Sequence, residues 1–289
     1  GLFVAVSDSG TGNRVMTSSN GINWTSQTSA VDNDWLNVTY GNGLFVAVSN
    51  NGTGNRVMIS PNGINWTSQT AAIDLSWVSI MYNNGMFVAV SSDGSGNRVM
   101  TSQIWDNTLR TTPQSNNWTD VAYGNDIYAV VSNDGTNRAA YSIDGGGIWN
   151  TSTTVPTAVW SSVVYFNDLF IAVGTNSVMT SVDGDTWILG TNVPLGTWVS
   201  LAHSDSTLVA VWDSGVSIEG TKVMRSVDGI TWAAGNSVNN NMDWVSVAYG
   251  SGVFVAISPG LTPNFNVIMY STNGVTWIAV IRHVPTVFK

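Results

Sequence analysis

What this chain of 289 residues has little of already excludes several classes of protein. It contains no cysteine, so it has no disulfides, zinc–thiolate sites or thiol catalysis. Charged residues make up only 9% of the sequence, against roughly a quarter in an average globular protein. The net charge of −9 argues against nucleic-acid binding, which needs clustered lysine and arginine. No run of eighteen apolar residues occurs, so we expect no membrane insertion.

What the chain does have is a short sequence box, Ser-x-Asp/Asn-Gly-x-x-Trp, that recurs along its whole length. The box serines are 39–45 residues apart, and self-similarity at such a period is the signature of a repeat architecture. A degraded seventh copy lies at 102–105. The intact copies lie at 18–24, 60–66, 142–149, 181–187, 226–232 and 271–277.

A second tryptophan begins an apolar stretch in each repeat, which we call the opening segment. These opening tryptophans are Trp35, Trp77, Trp118, Trp160, Trp198 and Trp244. Each repeat has room for four short β-branched and aromatic runs separated by turn residues such as the Asn-Gly pair at 62–63, which is a strong hairpin signal. No stretch of eleven residues shows a helical period. Four antiparallel strands in each repeat of about 40 residues are typical of a propeller blade.

The sequence therefore predicts an all-β fold, a seven-bladed β-propeller of four-stranded antiparallel blades in a single domain over 1–289. The first repeat lacks an opening segment, so its innermost strand is expected from the C-terminal end, where 286–289 suffice only to begin it. Either closure is short, or these residues are part of a longer chain, and we favour the second reading. The predicted repeats are about 1–34, 35–76, 77–117, 118–159, 160–197, 198–243 and 244–289.

The box resembles the Asp-box, or BNR, repeat of neuraminidase-type propellers. The copy at 142–149, SIDGGGIW, matches that spacing except at Ile148, where threonine is usual, and the other intact copies are one residue shorter. In that family the box is a hairpin remote from the active site. We therefore expect its Asp or Asn to accept backbone N–H bonds, its glycine to allow the turn and its tryptophan to pack beneath.

The same resemblance raises sialidase chemistry, which would need three arginines around the substrate carboxylate, a Tyr–Glu pair and an acidic aspartate. The single glutamate, Glu219, lies in a loop, and His203 and His283 are too far apart in sequence to suggest zinc. We expect no catalytic residue, no metal and no cofactor, so the protein is predicted not to be an enzyme. Four of the seven arginines occupy one repeat position and are expected to be structural: Arg14, Arg56, Arg98 and Arg138.

Function is expected where the blades differ, because loops carry it while the scaffold repeats. The loop between the second and third strands is shortest in the fifth blade, at 175, and long in the sixth and seventh, at 213–220 and 259–265. Trp212 stands where other blades have serine or glycine; it either stacks on a ligand or packs beneath its own loop. Asparagines at the loop ends either bind or cap the turns. The candidate binding residues are Trp212, Asp213, Glu219, Lys222, Asn176 and Asn266, with Trp105 and Arg110 in the third blade.

Three functions remain open on the sequence alone. The first is a non-catalytic recognition or adhesion propeller that binds a glycan or protein partner, with other domains of the same longer chain among the candidate partners. The second is a glycan-acting hydrolase of sialidase-like architecture, and the third is a structural or assembly scaffold. The neutral polar composition favours the first, with the protein extracellular or exposed on a cell or virion surface.

Overall fold

A computed structural model of the protein describes residues 1–103, 108–213, 222–236, 238, 242–259 and 265–283, with backbone only at 265–266 and 281–283. Strands are the only regular elements in this part of the chain. Blades one to three contain β1 (Phe3–Val6), β2 (Val15–Ser18), β3 (Thr25–Gln27), β4 (Trp35–Gly41), β5 (Leu44–Ser49), β6 (Val57–Ser60), β7 (Thr67–Gln69), β8 (Trp77–Asn83), β9 (Met86–Ser91), β10 (Val99–Ser102) and β11 (Thr108–Arg110). Blades four and five contain β12 (Trp118–Gly124), β13 (Ile127–Ser132), β14 (Ala139–Ser142), β15 (Asn150–Thr151), β16 (Trp160–Phe166), β17 (Leu169–Gly174), β18 (Ser177–Ser181) and β19 (Ile188–Leu189). Blades six and seven contain β20 (Trp198–His203), β21 (Leu208–Trp212), β22 (Val223–Ser226), β23 (Ala233–Gly235), β24 (Ser246–Gly250), β25 (Val253–Ser258), β26 (Phe265–Ser271) and β27 (Ile278–His283).

These strands form seven antiparallel sheets arranged as the predicted seven-bladed propeller. Consecutive strands are neighbours in every sheet, so each blade is a simple meander from the axis outward. Six sheets have four strands. The first has three within the described residues, β1 to β3, and its innermost position is the one for which the sequence lacks an opening segment. The predicted closing strand at 286–289 lies outside the described residues.

The opening tryptophans build the cores between blades. All six are 0% exposed. The indole N–H groups of four of them donate to carbonyls near the end of the preceding linker, as Trp35 does to Val31 O at 3.1 Å and Trp198 to Pro194 O at 2.9 Å. A β-bulge follows the tryptophan in five blades. In the second blade, for example, Trp35 pairs with Ser49 but Asn37 pairs with Val48. The prediction that these tryptophans are buried is confirmed.

Each of the six intact boxes forms the hairpin that its residue types predict. In the fifth blade Ser181 Oγ accepts the Gly184 N–H at 2.9 Å, and Asp183 Oδ1 accepts the N–H groups of Asp185 and Thr186 at 2.9 and 3.0 Å. The Trp187 indole N–H donates to Gly184 O at 3.0 Å. Burial alone would raise the pKa of the Asp183 carboxyl, but these N–H donors and the Ser181 hydroxyl outweigh it and hold the pKa below its usual value. The box therefore stabilises a turn, and the carboxylate accepts hydrogen bonds from the backbone of that turn.

Candidate functional site

The loop face of the disc is the face that carries the linkers between blades and the loops between second and third strands. Its repeated arginines fasten these loops. Arg56 Nε donates to Gly52 O at 2.8 Å and its Nη1 donates to Asn50 O at 2.9 Å, and Arg14 and Arg98 make the equivalent bonds in their blades. These guanidinium groups are hydrogen-bonded to carbonyl groups of their own loops. The interpretation of the arginines as structural is therefore confirmed for these three blades.

Lys222 takes the arginine position in the sixth blade. Its side chain is 1% exposed, and its Nζ donates to Asp243 Oδ1 at 2.6 Å. Arg14 makes the matching bond to Asp34 at 2.9 Å in the first blade, and each aspartate directly precedes an opening tryptophan. Lys222 is thus placed as part of the scaffold, with its ammonium also 5.9 Å from the Trp212 ring centroid.

Trp212 lies in the core between the fifth and sixth blades. It is 7% exposed, and its ring centroid is 5.9 Å from that of Trp198. Gly196 makes room for it, since a Cβ there would lie 2.8 Å from the indole. In this position the ring presents no open face to a ligand, which favours packing over stacking as the role of Trp212.

The other predicted binding residues do not gather at one place. Asn176 is exposed in the short fifth-blade loop at φ 55°, and it exchanges two 2.8 Å hydrogen bonds with Gly196. Arg110 is half-buried on β11, at the outer edge of the disc, where its Nε donates to Thr101 Oγ1 at 3.0 Å. Trp105 and Glu219 lie outside the described residues, and only the backbone of Asn266 is described, in β26. Of the predicted binding residues whose side chains the structure describes, only Asp213 lines the cavity at the central axis.

The axis opens on the loop face into a polar cavity of about 340 Å³, which we call the axial funnel. Its wall is built by the residues just after each opening tryptophan, because the innermost strands all begin at this face. The residue two positions after the tryptophan turns toward the axis at the bulge and is Asn, Ser or Asp in every described opening segment. The funnel is lined by side chains that include Asn37, Asp120, Ser162, Ser200, Asp213 and Ser246.

Asp120 differs from the other ring positions because it carries an acidic side chain where they carry serine or asparagine. Two serines at matching positions tie one blade to the next: Ser162 Oγ accepts the Leu201 N–H at 3.3 Å and Ser200 Oγ accepts the Val247 N–H at 3.1 Å. Asp120 makes the same link, its Oδ2 accepting the Val163 N–H at 2.9 Å. Its carboxylate is therefore part of the joint between the fourth and fifth blades.

The carboxylate of Asp120 accepts three further hydrogen bonds. Ser79 Oγ and the Val121 N–H donate to Oδ1 at 2.6 and 2.9 Å, and Ser162 Oγ donates to Oδ2 at 2.8 Å. Protein surrounds the group, although it keeps some surface open to the funnel. Burial raises the pKa of the Asp120 carboxyl above its usual value, and these donors oppose the rise without cancelling it. The result is a carboxylate held rigidly at the axis by three blades.

Sequence reasoning missed Asp120, although a signal was present. The serines at the matching positions of the other repeats, Ser79, Ser162, Ser200 and Ser246, make Asp120 a substitution of the same kind as Trp212. The loops drew attention because they vary in length, whereas this position varies only in charge. Chemically, the funnel offers hydroxyl, amide and carboxylate oxygens. Among the described residues that line it, none is aromatic and none is Lys or Arg.

Comparison with known proteins establishes the fold. No protein-family model matches the chain, so none supports the Asp-box resemblance, and no curated protein matches it in sequence. Virginiamycin B lyase from Staphylococcus aureus superposes with a TM-score of 0.70 at 12% identity, over 98% of this chain and 88% of the lyase. YCF48 bound to D1 peptide gives 0.61 at 14%, over 95% and 86%. A chain of the nidogen/laminin complex gives 0.58 at 10%, over 100% and 96%.

These likenesses correct one prediction. The sequence analysis predicts that the protein is not an enzyme, and that inference is wrong as drawn, because the structures with TM-scores of 0.70 are lyases on the same scaffold. The absence of a catalytic constellation from the repeats is thus compatible with a propeller that performs chemistry. At 12% identity the shared fold assigns neither that activity nor its absence to this chain. In the described residues no three His, Asp or Glu side chains cluster to hold a metal, and no helix is long and apolar enough to cross a membrane.

Proposed function

We propose that this protein is a recognition propeller, exposed on a cell or virion surface or secreted, that binds a polypeptide partner at the axial funnel. The observation that carries the proposal is the funnel wall, a polar ring held rigid by hydrogen bonds between blades and supplied with two carboxylates, Asp120 and Asp213. A preorganised concave site of this kind, with a few fixed polar groups, is what specific binding requires.

A polypeptide fits this wall better than a glycan does. Sugar recognition relies heavily on stacking against an accessible aromatic ring, and none of the described side chains that line the funnel supplies one. Two propellers of similar fold, YCF48 and the chain from the nidogen/laminin complex, are seen with a peptide and in a protein complex. Glycan recognition is the alternative, and the binding experiment described below distinguishes it from peptide binding.

The charge of the funnel specifies the partner further. Its carboxylates, on a chain of net charge −9, create a negative potential that favours a lysine, an arginine or an amino terminus. The neutral polar composition supports exposure at a surface, and the box hairpins support an Asp-box type of scaffold. Sialidase chemistry gains no support from Arg14, Arg56 and Arg98, whose guanidinium groups are bound to loop carbonyls.

Selection from a random peptide library displayed on phage tests this function. We expect enrichment of peptides with a basic residue, binding that weakens as salt is raised, and loss of binding in Asp213→Asn. Asp205→Asn is the matched control, because Asp205 is an exposed carboxylate of the same blade on the opposite face. Enrichment of neutral or acidic peptides, equal effects of the two variants, or binding on a glycan array without peptide binding would each refute the proposal.

A further inference from the structure

A separate cavity lies on the face of the disc opposite the funnel, which carries the box turns and the hairpins between first and second strands. It has a volume of about 340 Å³ and lies between the sixth and seventh blades. We call this cavity the box-face pocket. Its lining includes Asp205, Thr207, Tyr249, Phe254 and Asn273, and none of the residues that line it also lines the axial funnel.

The box-face pocket lies where the sixth blade carries a polar residue, Thr207, at an apolar position of the repeat. In the second blade Leu44 at this position packs against the core cluster that holds Phe87 of the third blade, and Met86 and Ile127 pack in the same way one and two blades further on. The shorter, polar Thr207 cannot fill this space with apolar surface, which leaves room for the cavity. The equivalent residues of the other repeats are Leu2, Leu44, Met86, Ile127, Leu169 and Val253.

The pocket has an aromatic wall. Tyr249 leans on Phe254, with ring centroids 4.7 Å apart, as Tyr82 leans on Phe87 at 4.6 Å. Tyr249 is nevertheless 39% exposed, whereas Tyr82 is half-buried. The Tyr249 ring therefore provides an accessible apolar surface inside a cavity whose other walls are mainly polar.

Polar groups at the rim of the pocket are available to a ligand. Asp205 is exposed, and within the described residues its carboxylate has no hydrogen-bond partner, whereas Asp126 in the fourth-blade hairpin accepts the Tyr123 hydroxyl at 2.7 Å. Asn273 Oδ1 accepts the Val275 N–H at 2.9 Å, and the box turn uses only this oxygen of the side-chain amide. The pocket thus combines a carboxylate acceptor, amide donors and threonine hydroxyls beside one aromatic ring.

We propose that the box-face pocket binds a neutral sugar in its pyranose form. The C–H groups on one face of such a ring pack on an aromatic side chain, and its hydroxyls donate and accept hydrogen bonds. Tyr249 supplies the aromatic surface, Asp205 the acceptor and Asn273 the donors. The carboxylate disfavours acidic sugars, because a second buried negative charge would repel it. This inference does not rest on the proposed function, since the two sites lie on opposite faces and share no residue.

Saturation-transfer difference NMR with the 289-residue chain tests the proposal. The probes are the methyl glycosides of glucose, galactose, mannose and N-acetylglucosamine, with the uronic acids of the three hexoses and choline for comparison. We expect at least one neutral glycoside to bind, and the matching uronic acid to bind about tenfold more weakly or not at all. Choline is included because a carboxylate beside an aromatic ring also attracts an ammonium group. Binding of none of the four glycosides, equal binding of the acid, or binding of choline alone overturns the proposal.

A substitution taken from the other blades locates the bound sugar. Thr207→Leu installs the residue that three other repeats carry, so it should fold, and its side chain should fill the pocket and abolish sugar binding. Thr186→Leu is the matched control, the same change at an exposed box position of the fifth blade, and should leave binding unchanged. Sugar binding that survives in Thr207→Leu overturns the proposal. Peptide binding at the funnel should be the same in wild type and Thr207→Leu, so either proposal can fail without the other.

A pair of tyrosine variants separates stacking from stability. Tyr249→Leu removes the accessible ring and should weaken sugar binding about tenfold. Tyr82→Leu removes the equivalent tyrosine–phenylalanine contact at a position outside the pocket and should leave sugar binding unchanged. Equal sugar affinities of the two variants would show that Tyr249 does not contact the ligand and would overturn the assignment of the site.

Discussion

The interface between the fourth and fifth blades and the two interfaces around the first blade use the same repeat positions with different results. Between blades four and five, Tyr165 is half-buried and Ala122 is 4% exposed. Around the first blade, Ala248 is exposed and Tyr40 is 57% exposed. The comparison teaches that each repeat encodes half of an interface, and that the other half comes from the innermost strand of the next blade.

The largest test of this comparison is a pair of box tryptophans. Trp187 of the fifth blade is 1% exposed, whereas Trp24 of the first blade is half-buried. We expect Trp187→Ala to lower the free energy of unfolding by about 3–5 kcal/mol and Trp24→Ala by roughly half as much, because less surface is lost from the core. Urea denaturation measures both. Equal costs would show that the first blade is packed as tightly as the fifth.

A second test concerns the asymmetry of the sixth blade. Trp212→Ser installs the residue that most other blades carry, yet we expect it to lower the free energy of unfolding by about 3 kcal/mol, because it empties a buried volume beside Trp198 and Gly196. Trp212→Phe is the control and should cost less. If Trp212→Ser is as stable as the wild type but binds partner peptides more weakly, the ring is a ligand contact, as the loop-based hypothesis holds.

These two cases show how much of the structure could be predicted from the sequence alone. The repeated pattern was sufficient for the fold, the blade number and the burial of the opening tryptophans, because the intact repeats share the same local turn chemistry. It was not sufficient for the site. Trp212 marked a departure from the repeat, but whether a large side chain points outward or fills a gap depends on Gly196, sixteen residues earlier. Asp120 became visible only when the bulge after each opening tryptophan turned its ring position toward the axis.

The third test separates charge from hydrogen bonding in the box. Asp183→Ala removes the acceptor of two backbone N–H groups and should lower the free energy of unfolding by about 1–2 kcal/mol at neutral pH. Since the pKa of Asp183 is held below its usual 3.8, this contribution is present above that pH and is lost as the pH falls through the folded value. Thermal unfolding at pH 7 and at strongly acidic pH measures the change.

The first blade supplies the natural control for that test. Asn20 fills the same turn position there and makes the same bonds, with its Oδ1 accepting the N–H groups of Ile22 and Asn23 at 2.9 and 2.8 Å. Asp183→Asn should therefore keep most of the neutral-pH stability and lose the pH dependence. A pH dependence that persists in Asp183→Asn would assign it to another carboxylate.

The smallest expected effect lies at the outer rim, where the complete blades and the first blade should no longer differ. Ile188 on β19 is 67% exposed, so Ile188→Thr gives up little buried surface and keeps a β-branched side chain suited to a strand. We expect a change in the free energy of unfolding within about 0.5 kcal/mol, as for most surface substitutions. Ile171→Thr is the matched control in the same blade. That residue is 0% exposed on β17, and placing a hydroxyl there should cost about 2 kcal/mol or more. A loss above about 1 kcal/mol for Ile188→Thr that grows with protein concentration would show that a second molecule covers the rim.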